Sequence, residues 1–309
     1  MKFATRLNSF LPKFNNDLNQ VFHQLNQLGV GYVDFNYPEH TKDYNAQDML
    51  KLMQQHQLEA NGVALRFRNA FLNGELGNSD RELSRKAVQL CKEAIDYCRD
   101  IHGEVVTIWL GFDGFDYSFQ INYSKVWKQI KEYLVEICDY APDMKISIEY
   151  KPYEERSYAF LDSIGTTMLM IQEVNRENLG ITLDYCHMLM KYENPAYSVC
   201  IAGQNNKLFG IHLNDGYGGF DDGLMVGTAS LWKTLEFLYY VKSYGYDHAI
   251  YFDTFPKREG AIEECRHNLA MTNRLLQMID HVGMDEIQRV INENSGIFAG
   301  QLMMKFLEG

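Results

Sequence analysis

The sequence has no run of apolar residues approaching the length of a membrane span, which argues against a helical membrane protein and against a membrane partner. Its opening stretch, MKFATRLNSFLPKF, lacks the apolar segment of a secretory signal. Six cysteines (Cys91, Cys98, Cys138, Cys186, Cys200 and Cys265) show no CxxC spacing and no regular framework. No disulfide scaffold follows from that pattern, and the expectation is reduced thiols in a cytoplasmic protein. Positive charge is scarce: 29 Lys and Arg face 41 Asp and Glu, for a formal net charge of −12. A nucleic-acid backbone is therefore a poor partner, because phosphates need clustered cations. No Gly-rich dinucleotide fingerprint follows the first strand, and no linker or low-complexity tract divides the chain.

What is present is an alternation. Across 309 residues, 46% of them hydrophobic, short apolar runs alternate with segments of helical period. Strands are predicted at 2–7, 32–36, 59–64, 105–109, 145–149, 180–184, 208–212 and 248–252. Amphipathic helices are predicted at 17–28, 81–101, 124–140, 160–174, 231–244 and 261–278. Eight strands alternating with helices point to an α/β fold, a closed (β/α)₈ TIM barrel. The barrel is assigned to residues 1–280, and 281–309 to a C-terminal helical extension packed on this barrel or on a neighbouring subunit.

Polar residues fall at telling places. Four predicted strands end in a metal-competent side chain: ISIE at Glu149, ITLD at Asp184, GIH at His212 and YFD at Asp253. Side chains at the carboxyl ends of barrel strands meet in one cleft. A single Asp at a strand tip is commonplace, since Asp favours turns. Four consecutive tips carrying oxygen or imidazole donors are not, and three crowded carboxylates stay ionised only around a positive charge. Mn²⁺, Mg²⁺, Co²⁺ or Zn²⁺ all suit this donor set, and His212 tilts it toward a transition metal such as Mn²⁺. In LDYCH, His187 follows Asp184 by one turn and can reach a second ion that Asp184 bridges. Asp221 and Asp222, in the loop NDGYGGFDDG, are the residues available to complete it. Lys151, two residues beyond Glu149, either balances the carboxylates or polarises a substrate oxygen.

These segments carry a resemblance. IEYKP, LDYCH, HLNDGYGGFDDGLMVG and the strand-eight Asp253, in that order, resemble the xylose isomerase-like barrel superfamily, and within it the L-rhamnose isomerase and related sugar isomerase branch. GELGNSDRELSRKA and TIWLGFDGFDYSFQ resemble two further family segments, so the similarity spans roughly 73–279. The resemblance implies that Glu149, Asp184, His212 and Asp253 bind a structural metal, and that Asp184, His187 and Asp221 bind a catalytic one. It implies that Lys151 contacts a sugar oxygen and that Trp109 belongs to the substrate wall. It also implies a monosaccharide substrate, aldose–ketose interconversion by hydride shift, no organic cofactor, and a homo-oligomer (dimer or tetramer).

Two departures accompany it. The family's second-metal loop carries D-x-D, and here the second position is Gly223, leaving Asp222 as a substitute. The family's N-terminal histidine beside the sugar has no clear counterpart, and His40, in YPEH, is a candidate for it. The rival readings are a ketose 3-epimerase working by proton exchange, an endonuclease IV-type repair enzyme, which the net charge disfavours, and a catalytically reduced sugar-binding barrel.

Overall fold

A computed structural model describes residues 1–308, the Asn69 side chain excepted. Eight parallel strands close into a barrel: Lys2–Thr5, Tyr32–Tyr37, Glu59–Leu65, Val105–Trp109, Lys145–Glu149, Leu179–Asp184, Leu208–Leu213 and Ala249–Phe252, here numbered one to eight. Each strand pairs with its sequence neighbour among these eight, and strand one closes against strand eight through Thr5 opposite Phe252. All eight predicted strands are therefore present. The largest discrepancy is at strand one, which ends at Thr5, where the chain turns into the short helix Leu7–Phe10.

Period-two alternation decides which strand residues face inward. Thr107 and Thr182 belong to strands four and six, which are not neighbours. Their hydroxyls lie 3.3 Å apart, which places that layer inside the barrel. Ser147 joins them at 2.6 Å from Thr182. Two residues further along the same strands come Trp109, Glu149 and Asp184, which must therefore also point inward, one layer higher. The intervening Ile108, Ile148 and Leu183 face the surrounding helices and are fully buried. Gly210 is glycine because a Cβ there would come within 2.4 Å of the Thr182 hydroxyl.

The six predicted helices appear with ends set by caps: Asp17, Asp80, Asn122 and Ser163 each accept a hydrogen bond from a first-turn N–H. The cap at Ser163 is why the helix predicted from 160 begins at Ile164. Helices Ala46–Gln55, Tyr185–Met190 and Pro195–Gln204 were not predicted. Neither was a two-stranded antiparallel ribbon, Gly114–Phe115 with Tyr158–Ala159, that ties the loops after strands four and five together. The C-terminal helices Met284–Asn292 and Gly296–Glu308 pack on the chain's own barrel, burying Ile287, Val290 and Phe306. Among the described residues, no helix is long and apolar enough to cross a membrane.

Candidate metal centre and pocket

Strand register sets the site. Trp109 lies opposite Glu149, and Asp184 opposite His212. Asp253 follows strand eight and donates its backbone N–H to Leu213 O, which holds it beside the tip of strand seven. Glu149, Asp184, His212 and Asp253 are all buried, and one ligand atom from each lies within 4.8 Å of the others. Asp184, His187 and Asp221 form a second group meeting the same limit. Asp184 belongs to both.

The helix after strand six explains how Asp184 serves twice. Asp184 is its N-cap, accepting the His187 N–H at 3.0 Å, so the helix's first turn brings His187 back over the same carboxylate. Asn214 donates its side-chain amide to both Asp184 oxygens, at 3.3 and 3.2 Å, and also to the Asp253 carbonyl. His187 Nδ1 lies 2.8 Å from the Tyr150 carbonyl and must donate to it. That contact fixes the tautomer and leaves Nε2 facing Asp221 at 3.3 Å.

Electrostatics show what the cluster lacks. Burial would raise the Glu149 carboxyl, but the His212 and His187 charges overcome that and hold it at about 2. Asp184 goes the other way: burial, reinforced by Asp221, Glu149 and Asp253, pushes it up to about 7 against the pull of His187. Burial would lower both imidazoles, yet His187 and His212 rise to about 9 under the surrounding carboxylates. Protons on histidine and on Asp184 thus stand where a cation would serve better. Among the described residues, Asp253 Oδ1 and Asp221 Oδ1 are buried and accept no hydrogen bond. The nearest cation to Asp253 is the Arg6 guanidinium, at 3.5 Å. Buried carboxylate oxygens without a hydrogen bond, in an O/N donor set of this kind, fit a divalent ion.

Of the remaining sequence-derived candidates, Lys151 lines the pocket but is held by Glu154 at 2.6 Å and Asp221 at 3.0 Å. Its ammonium also lies 5.6 Å from the Trp109 ring centre. Trp109 lines the same cavity. Asp222 is not in either cluster, because its carboxylate accepts the Tyr217 N–H within its own loop. Gly223 has φ +56°, and a Cβ there would meet the Phe255 ring at 2.4 Å, so no carboxylate fits that position. His40 is buried, accepts the Asn36 N–H at 3.0 Å and does not line the cavity, and burial lowers it to about 4. The N-terminal-histidine role is thereby corrected.

The cavity measures about 510 Å³, within the range of small-molecule sites. Its other wall was missed from sequence: Arg6, Asn8, Ser9, Asn36, Arg66 and Phe255. Only their positions, Asn36 near the end of strand two and the others shortly after strands one, three and eight, could have marked them.

A xylose isomerase-like TIM barrel family model matches residues 22–271. The xylose isomerase of Thermus thermophilus is 27% identical over 195 residues, which is 61% of this chain and 50% of that enzyme. The chain thus spans about half the length of the curated relatives it matches. A D-tagatose 3-epimerase-like protein superposes with a TM-score of 0.72 at 18% identity, covering 91% of this chain and 99% of that one. An IOLI protein with a bound zinc atom superposes with a TM-score of 0.69 at 19% identity, covering 89% and 98%.

Proposed function

The chain belongs to the xylose isomerase-like TIM barrel family, and from that premise we propose that it is a divalent-metal-dependent sugar isomerase interconverting an aldose and a ketose. One observation carries the reading: Asp184 is shared between a four-residue cluster and a second group with His187 and Asp221, beside Lys151. Glu149, Asp184, His212 and Asp253 would hold one ion, and Asp184, His187 and Asp221 a second. Bound there, divalent ions supply Lewis acidity toward sugar oxygens. The relative named a xylose isomerase, and the neighbour described with zinc, support the reaction class and the metal.

The chain's own groups do the rest. Lys151 Nζ donates to a substrate oxygen and stabilises negative charge developing on it. Its 5.6 Å approach to Trp109 keeps the ammonium against the ring rather than extended into water. The Trp109 face covers the C–H edge of the substrate and excludes water, as a transfer of hydrogen between adjacent carbons requires. His187, its Nδ1 proton committed to Tyr150 O, keeps Nε2 directed at the Asp221 side of the pocket.

A second reading, ketose 3-epimerase, is favoured by one observation. Among the described residues the second group has three protein donors, and Phe255 occupies the space beside Gly223 where a fourth would stand. One ion and a pair of acid–base carboxylates would then exchange a proton instead. Incubation of manganese-loaded protein in D₂O with a panel of aldoses and ketoses separates the two. Ketose formed from aldose without carbon-bound deuterium supports the isomerase. Ketose formed from ketose with deuterium at the inverted carbon overturns it in favour of the epimerase.

A further inference from the structure

The cavity lining carries cations in a chain where acids outnumber bases by 41 to 29. Most of these cations are committed. Lys151 is held by Asp221 and Glu154, Arg68 by Glu39, and Arg6 lies against Asp253. Arg66 is not. Among the described residues it has no ion-pair partner, and its Nε is buried without a hydrogen bond. Its backbone is fixed, because the N–H donates to Tyr37 O at 2.9 Å and continues the strand-two ladder by one residue. Its guanidinium lies 5.8 Å from the centre of the same Trp109 ring that Lys151 approaches. A planar guanidinium held beside an aromatic ring is pre-organised for bidentate binding of a carboxylate or phosphate. Lys257, on the rim, is a second cation lining the cavity, with no ion pair among the described residues.

We propose that the pocket takes a polyhydroxy compound bearing an anionic end group, a carboxylate or a phosphate, received by Arg66 on the strand-three side of the cavity. This deepens the isomerase reading and rests on the pocket being the catalytic one. The metal-binding residues address hydroxyl and carbonyl oxygens, and Arg66, on the strand-three side, addresses the anionic end group. An anion gives the Arg66 guanidinium a charge-assisted acceptor, a stronger partner than the hydroxyl of a neutral sugar.

The test is calorimetric, on the full manganese-loaded chain at constant ionic strength, with D-gluconate, D-glucitol 6-phosphate and D-glucitol as probes. D-Gluconate and D-glucitol share their hydroxyls and differ in one end group, carboxylate against hydroxymethyl. The expected result is that at least one anion binds about tenfold or more tightly than D-glucitol. Gluconate preference assigns a sugar acid, and phosphate preference a sugar phosphate. Arg66→Ala should erase the advantage, and Arg66→Lys should keep only a fraction of it. Manganese affinity and the far-ultraviolet spectrum should be unchanged in both variants. Equal affinity for all three compounds, no binding of either anion, or an advantage persisting in Arg66→Ala would overturn the proposal. The isomerase reading fails separately: anion preference without manganese-dependent turnover of any sugar would leave Arg66 its role and remove the isomerase.

Discussion

The two sides of the pocket stand at the same height on the same barrel and carry opposite charge. At the tips of strands five to eight, Glu149, Asp184, His212 and Asp253 crowd together until Asp184 rises to about 7 and both imidazoles to about 9. Beyond strands one and three, Arg6 and Arg66 rest near the rings of Phe255 and Trp109, 4.2 and 5.8 Å from the ring centres, and among the described residues Arg66 makes no ion pair. The barrel supplies both sides with the same geometry, an inward position where a strand ends. What differs is the kind of deficit: the acidic side lacks a cation and the basic side lacks an anion. Ligand and metal would complete complementary halves of one site.

The largest effect expected from breaking this arrangement is at Asp184, because both clusters share it. Asp184→Asn should lower kcat/KM by about 10³-fold or more, the scale of losing several kcal/mol of charge stabilisation, and should abolish tight metal binding. Turnover within tenfold of wild type would mean the clusters do not act together. Next comes Lys151→Ala, which should cost about 10²–10³-fold in kcat while leaving metal stoichiometry intact. Glu149→Gln should lose both. Equal manganese affinity in Glu149→Gln and Lys151→Ala would remove the distinction drawn between ligand and polarising group.

Proton competition gives a smaller, graded effect. His187 and His212 hold protons below about pH 9 in the metal-free cluster, and a ligating imidazole must be neutral. Manganese affinity should therefore fall as pH falls from 9 to 6, by up to about tenfold per unit for each proton displaced. Competition titrations at four pH values measure the slope, and a flat profile would show that the imidazoles are not ligands. The smallest effect is expected at Asp222→Ala, which should leave metal affinity unchanged and cost about 1 kcal/mol of stability through the lost Tyr217 hydrogen bond.

The acidic side was legible in the sequence for the same reason that it is strained. Carboxylates and imidazoles ending four consecutive apolar strands are improbable unless something gathers them, and LDYCH places His187 one helical turn from Asp184. The fold was legible from the alternation of short apolar runs with helical period. Strand one was read too long because Leu7 and Phe10 continue its apolar pattern while their backbone has already turned helical. The basic side was not legible. An arginine after a strand has no distinctive spacing, and its meaning lies in what it lacks, which only coordinates reveal. Asp222 was read as a substitute for the missing second carboxylate of the loop, yet its carboxylate accepts the Tyr217 N–H while Asp221 alone joins the second group. His40 resembled a pocket residue in sequence, yet the chain folds it into a buried turn behind Asn36.

Crystals of the protein soaked in manganese, with anomalous scattering recorded at a wavelength where manganese dominates, test the central claim most directly. The account predicts a strong peak enclosed by Glu149, Asp184, His212 and Asp253, with a weaker one between Asp184, His187 and Asp221. A map with no peak among those four side chains, at manganese concentrations that saturate the protein in solution, would contradict it.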